Sequence, residues 1–105
     1  MKERILETIA ILDHLVGFET ISGTSTEKIN QFIIDYLKKH NVEPKLSYDE
    51  DGIRSNVFAI IGPEIDGGVL FNGHTDVVPV KGQKWATDPF KLTQIDDRLY
   101  GRGSV

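Results

Sequence analysis

The chain has 105 residues, of which 39% are hydrophobic, and this length allows one small domain with a modest core. Acidic residues outnumber lysine and arginine by 16 to 12, the net charge is -4 at pH 7, and no basic run occurs. A protein that binds nucleic acid through its phosphates needs a surface rich in lysine and arginine. We therefore expect no nucleic-acid partner.

Cysteine is absent, which excludes disulfides and thiolate metal sites and leaves nitrogen and oxygen atoms as the available metal ligands. The amino terminus carries Glu3 and Glu7 where a signal peptide would have an uninterrupted apolar core. No apolar run approaches membrane-spanning length. These features predict a cytoplasmic protein with no membrane partner.

Two helices are predicted in the first part of the chain. Residues 5–16 place apolar side chains at helical spacing, and Gly17 is expected to end this helix. Thr24 and Glu27 have the spacing of a capping box at the start of a second helix. Its apolar residues are Ile29, Phe32, Ile33, Tyr36 and Leu37, and its cationic end is Lys38, Lys39 and His40. Such an end suits the helix dipole, so these three residues are interpreted as a solvated helix terminus. His14 lies in the first helix and is interpreted as a packing or surface residue.

The pattern then changes from helical to extended. Strands are predicted at residues 46–48, 56–61, 69–71, 91–95 and 98–100. Turn residues between 62 and 68 predict that the second and third of these strands are neighbours. Asp96-Asp97 predicts a hairpin between the last two. Trp85 and Phe90 are interpreted as local core.

His74 and Asp76 follow directly after the predicted strand at residues 69–71. Ligands bind at the carboxyl ends of strands in open α/β sheets. Imidazole is a good zinc or cobalt ligand, and a carboxylate can hold its other ring N–H and fix the tautomer. A catalytic metal usually has about three protein ligands, so further ligands must come from elsewhere. The alternative is an Asp-based turn beside an incidental histidine.

Several blocks together resemble the M20 family of zinc-dependent amidohydrolases and peptidases. The blocks are Gly73-His74-Thr75-Asp76-Val77-Val78-Pro79, Trp85, Asp88-Pro89-Phe90 and Arg98-Leu99-Tyr100-Gly101-Arg102-Gly103. Asp13-His14-Leu15-Val16 and Ile21-Ser22-Gly23 extend the resemblance over nearly the whole chain. Members of this family that remove the acyl group of an N-acylated amino acid look most similar.

The resemblance implies that His74 ligates one of two zinc ions per subunit, with cobalt as a possible substitute, and that Asp76 holds its imidazole. It also implies a bridging Asp just after Val105, two later glutamates and a lid domain, all outside residues 1–105. The substrate it implies is a small N-acylated amino acid, and the full-length protein is expected to be a homodimer. Residues 1–105 are thus interpreted as the amino-terminal portion of a catalytic domain.

The predicted fold class is α/β, with two helices packed on a mixed, mainly parallel sheet of the zinc-peptidase type. Residues 69–71 are apolar on both faces, as in buried sheets, whereas two helices can fully cover only one face of such a sheet. The alternative function is a non-catalytic module that binds a protein partner or weakly binds metal through His74. Arg102 has two interpretations, a contact to a substrate carboxylate or an ion pair within the protein.

Overall fold

The protein is described by a computed structural model that covers all 105 residues. Its elements are α1 (Lys2–Gly17), α2 (Glu27–Lys39), β1 (Lys45–Tyr48), β2 (Ser55–Phe58), β3 (Thr93–Ile95) and β4 (Arg98–Tyr100). The chain divides into a first unit, Met1–Ser22 with Asp76–Val105, and a second unit, Gly23–Thr75. Neither helix is long and apolar enough to cross a membrane.

Helix α1 of the first unit confirms the first predicted helix and ends at Gly17 as expected. The chain becomes extended at Phe18, whose N–H still bonds to the carbonyl of Leu15 at 3.3 Å. Burial of the apolar face is confined to its carboxyl-terminal part, because Val16 is 4% exposed whereas Ile5 is 54% exposed. The start of α1 therefore stabilises this unit little.

The predicted carboxyl-terminal hairpin is confirmed. Strands β3 and β4 pair antiparallel, with Gln94 opposite Leu99. Asp96 in the connecting turn has a φ of 55°, a left-handed conformation that Asp tolerates better than most residues. The Asp-Asp dipeptide therefore serves as the turn that the sequence indicated.

Helix α2 of the second unit is also confirmed, but it begins at a different cap. Thr26, not Thr24, is the N-cap, and its side chain makes no cap hydrogen bond. The Ser25 hydroxyl accepts from the N–H of Glu27 at 3.2 Å instead. The Thr26 hydroxyl accepts from the N–H of Ser55 at 2.9 Å, so this side chain links the helix start to β2. The predicted position of the capping box is thus wrong, because a tertiary contact uses the N-cap hydroxyl.

The other end of α2 has the expected cationic last turn. Asn41 follows it with a φ of 60°, and the N–H of Val42 bonds to the Leu37 carbonyl at 2.9 Å. This pattern is a Schellman-type end, in which Asn takes the left-handed position more often filled by Gly. Lys38 lies 3.9 Å from Glu43, and both side chains are solvated.

Strands β1 and β2 form an antiparallel hairpin, with Lys45 opposite Phe58 and Tyr48 opposite Ser55. The predicted pairing of residues 56–61 with residues 69–71 is therefore wrong. Residues 69–71 form no strand, and their exposures are 82%, 75% and 92%. A strand needs partners for its backbone groups, and within this chain β2 has found its partner in β1, the nearer segment.

The α/β composition is confirmed, but the arrangement of the strands differs from the expectation. Both sheets have two strands and both are antiparallel. The parallel pairing is limited to an isolated bridge between Ile21 and Val77 in the first unit. Helix α1 lies in the first unit, and helix α2 packs on β2 in the second.

Candidate functional site

Asp76 is anchored to the segment that follows α1. The hydroxyl of Ser22 donates to Oδ2 of Asp76 at 2.8 Å. Next to it, the N–H of Val77 donates to the Thr20 carbonyl at 2.8 Å, and the N–H of Ser22 donates to the Val77 carbonyl at 3.0 Å. The carboxylate is therefore held at the side chain and through the adjoining backbone, although Asp76 itself is exposed.

Two glycines of the Tyr-Gly-Arg-Gly block make close contacts within the same unit. A Cβ on Gly101 would lie 2.8 Å from Cγ1 of Val16, too close for any other residue. Gly103 has a φ of 88°, and a Cβ there would lie 3.1 Å from Cγ1 of Val77. Because Val77 adjoins Asp76, the second glycine brings this block to the segment that carries the carboxylate.

His74 lies in the second unit, on the irregular segment that precedes Asp76, and its side chain is exposed. The expectation that it ends a strand is wrong, since residues 69–71 are not a strand. The division between the units falls between Thr75 and Asp76, so the two motif residues belong to different units. Their closeness is a property of the sequence.

The residues of this chain do not form a metal site by themselves. No group of three or more His, Asp or Glu side chains converges in a way that could hold an ion. His74 and Asp76 are thus suited to a metal by type but too few to hold it.

Arg102 makes contacts that the sequence did not indicate. Its guanidinium lies 5.1 Å from the centre of the Trp85 ring, a cation–π distance. Its Nη2 donates to Oε1 of Gln83, and its backbone N–H donates to the Pro89 carbonyl at 2.7 Å. The ion pair within the protein that was one interpretation of Arg102 is not formed, because its partner is a neutral amide.

The remaining predicted residues have structural positions. His40 is the C-cap of α2, and its ring lies 4.7 Å from that of Tyr36. His14 is exposed on α1, and Trp85 and Phe90 are half-buried, as expected for surface and local core residues. Sequence reasoning missed the role of Ser22, although the Ile21-Ser22-Gly23 block drew attention to it. It also missed Gln83, for which no sequence signal existed.

Comparison with known proteins identifies the family that this chain resembles. Residues 70–105 match the model of peptidase family M20/M25/M40. The matched segment contains His74, Asp76 and the Tyr-Gly-Arg-Gly block. The resemblance to the M20 family is therefore confirmed.

Particular relatives extend the similarity beyond the matched segment. The chain is 34% identical over 110 residues to an acetylornithine deacetylase of Buchnera aphidicola subsp. Schizaphis graminum, an alignment covering 100% of this chain and 29% of the relative. It is 32% identical over 99 residues to a succinyl-diaminopimelate desuccinylase of Rickettsia prowazekii, covering 90% of this chain and 25% of that protein. The chain thus spans between a quarter and a third of the length of these relatives.

Proposed function

We propose that residues 1–105 are the amino-terminal part of the catalytic domain of an M20-family hydrolase that cleaves the amide bond of an N-acylated amino acid. The observation that carries the proposal is the His74-Thr75-Asp76 motif inside the segment that matches the family model. The partial coverage of the relatives supports the view that the chain is one portion of a longer enzyme.

In this proposal His74 is a metal ligand and Asp76 holds the His74 imidazole in the coordinating tautomer. The hydrogen bond from Ser22 supports a fixed carboxylate at Asp76. A zinc ion, or cobalt in its place, supplies Lewis-acid polarisation of the amide carbonyl and a more acidic bound water. The other ligands and the general base come from residues outside this chain.

The substrate that we propose is N-acetylornithine, converted to ornithine and acetate in arginine biosynthesis. The alignment with acetylornithine deacetylases covers the whole chain and supports this choice. The alternative substrate is N-succinyl-diaminopimelate, supported by a desuccinylase relative of almost equal identity.

We further propose that residues 69–71 become a buried strand of a mixed, mainly parallel sheet in the longer protein. Their apolar character and their exposure in this chain support this arrangement. The family resemblance extends the proposal to a homodimer in the cytoplasm, and the absence of cysteine supports that compartment.

A chimera tests the proposed function. Residues 1–105 replace the aligned residues of the Buchnera acetylornithine deacetylase, and hydrolysis of N-acetylornithine and N-succinyl-diaminopimelate is measured with zinc or cobalt. We expect turnover of N-acetylornithine that falls by at least about a thousandfold in the His74→Ala variant. His14→Ala is the matched control, since His14 is exposed on α1, and should leave turnover unchanged.

The chain alone provides the complementary measurement. Because one imidazole without a preformed set of ligands binds zinc weakly, we expect weak zinc binding by calorimetry and no hydrolysis of N-acetylornithine. Zinc-dependent turnover by the purified chain would contradict the proposal. A folded chimera that retains native helix content but hydrolyses neither substrate would contradict it as well.

One observation favours a second candidate function of another class. The exposed apolar residues at 69–71 resemble a protein-binding segment, which suits a non-catalytic module that binds a protein partner. The chimera separates the two candidates. An independent module contributes no catalytic residue, so His74→Ala would then have no effect on any turnover that the chimera shows.

A further inference from the structure

An arginine of the first unit lacks the partner that its geometry calls for. The Nε of Arg102 is buried and has no hydrogen-bond acceptor. A buried donor without an acceptor is unfavourable, and more so when the group is charged. Such an atom in a native structure calls for an explanation, and one explanation is that it binds a ligand.

The contacts of the same guanidinium indicate what kind of ligand fits it. Its Nη2 donates to Oε1 of Gln83, and the indole Nε1 of Trp85 donates to the same oxygen at 3.4 Å. Two donors from different residues thus converge on one amide oxygen. No carboxylate is among the contacts of Arg102, so the positive charge is left without a counter-charge.

The shape of the guanidinium then selects a two-oxygen anion. Nε and Nη2 lie on the same edge of an arginine and form the fork that binds carboxylates through two parallel hydrogen bonds. An amide offers one oxygen to this edge, which accounts for Nη2 and leaves Nε without an acceptor. A carboxylate at the same place offers an oxygen to each nitrogen.

The surroundings of Arg102 hold its guanidinium in place. The backbone of Arg102 is fixed by the Pro89 carbonyl, and the Trp85 ring covers one face of the guanidinium. Gln83 is exposed, on a turn closed by its N–H to the Val80 carbonyl at 3.1 Å. Gln83 is thus the exposed member of this cluster, whereas Trp85 and Arg102 are half-buried.

From these observations we propose that Arg102, with Trp85 beside it, is a binding site for the carboxylate of a small molecule, and that Gln83 occupies this site when no ligand is bound. Gly103, next to Arg102, packs on Val77, next to Asp76, so this site lies in the same unit as the Asp76 carboxylate. The ligand that we assign is the carboxylate of the N-acylated amino acid or of the acid released from it, an assignment that rests on the proposed function.

NMR spectroscopy of the 15N-labelled chain tests the site without any need for turnover. Trp85 is the sole tryptophan, so the signal of its indole N–H is assigned without ambiguity and serves as the first probe. The Nε–H of Arg102 is the second probe. Sodium acetate and sodium succinate are added in separate titrations, and sodium chloride at equal ionic strength is the control. We expect both probes to shift in a saturable manner with the carboxylates and to remain unmoved by chloride.

A substitution at Gln83 makes the test specific and avoids any change to Arg102. Gln83→Glu places a carboxylate on the fork within the chain, so it should weaken acetate and succinate binding by about tenfold or more. Gln94→Glu is the matched control, because Gln94 is an exposed glutamine of the same unit and the charge change is identical. We expect less than about a twofold effect there, because screened surface charges interact weakly.

Three results would overturn the proposal. They are unmoved probes at saturating acetate and succinate, an equal response to chloride, and equal weakening by Gln83→Glu and Gln94→Glu. If the carboxylates bind to the chain but the chimera is inactive, the binding site stands and the proposed function is rejected.

In an active chimera, Arg102→Lys keeps the charge but removes the fork, so the KM for N-acetylornithine should rise about tenfold with kcat nearly unchanged. An unchanged KM would reject the substrate carboxylate as the ligand.

Discussion

Two stretches of the second unit carry apolar residues and differ completely in burial. In α2, Ile29 is 2% exposed, and the neighbouring Asn30, which bonds to Ser55 of β2, is 4% exposed. In residues 69–71 the apolar side chains are between 75% and 92% exposed. The two stretches differ in where their partners lie, since α2 packs on a hairpin formed a few residues later.

The buried stretch also satisfies its polar groups. The Asn30 amide donates to the Ser55 carbonyl at 2.9 Å, to the Ser55 hydroxyl at 2.8 Å and to the Thr26 hydroxyl at 3.1 Å. Burial of a polar side chain costs little when its hydrogen bonds are made in this way. An apolar run without a partner segment gains nothing from its hydrophobicity, however strand-like its sequence.

The largest expected effect comes from removing apolar volume in the buried stretch. Ile29→Ala should lower the free energy of unfolding by about 2–5 kcal/mol, because it leaves a cavity at a buried position. Phe71→Ala removes a larger side chain from the exposed stretch and should change it by less than about 0.5 kcal/mol. Urea denaturation followed by circular dichroism measures both. Similar losses for the two variants would show that residues 69–71 are packed.

The buried amide should give the next largest effect. Asn30→Ala leaves the Ser55 oxygens without this donor and should lower the free energy of unfolding by about 2 kcal/mol. Asn56→Ala is the matched control, since Asn56 is exposed on β2. The same urea titrations apply. Equal effects at the two asparagines would mean that the network around Asn30 contributes nothing specific.

The exposed stretch should instead control self-association. Phe71→Lys removes an apolar side chain that can be buried between molecules and adds a charge, so self-association should weaken by about tenfold. Analytical ultracentrifugation over a concentration series measures the change. Ile53→Lys, at an exposed isoleucine of the β1–β2 loop, serves as the control and should have a smaller effect. A larger effect of Ile53→Lys would show that the molecules associate through another surface of the second unit.

The smallest effect concerns the loop that joins β1 to β2. The hydrogen bond from Arg54 Nε at 2.8 Å, helped by backbone N–H groups, lowers the pKa of Asp49 below its ordinary value. The stability that this contact contributes is present above the unfolded-state pKa of Asp49. It is lost as the pH falls through the lowered folded-state pKa.

Arg54→Ala should raise the pKa of Asp49 towards its ordinary value and reduce the loss of stability on acidification. Carbon-detected NMR titration of the Asp49 carboxyl measures the shift. Lys38→Ala removes a solvated cation elsewhere in the second unit and should leave the Asp49 titration where it is. An Asp49 carboxyl that titrates identically in Arg54→Ala would show that the backbone N–H groups alone depress its pKa.

Local features of the fold were predictable, and contacts distant in sequence were not. The period of α2, the stop of α1 at Gly17 and the Asp96-Asp97 turn depend on interactions within a few residues. The N-cap of α2 was misplaced because the Thr26 hydroxyl bonds to a residue 29 positions away. The partner of β2 was misplaced because the sequence of residues 69–71 does not show whether a pairing strand exists.

The candidate site follows the same division. The sequence by itself determined which chemical groups the candidate site offers. These groups belong to His74, Asp76 and Arg102, whose identities and neighbours in the M20-like blocks are read directly from it. Only the tertiary structure decided that Ser22 holds Asp76 across 54 positions and that Arg102 meets Gln83 and Trp85 without a counter-charge. Hydrogen bonds and ion pairs depend on distances of a few ångströms, and the folded path of the chain sets those distances.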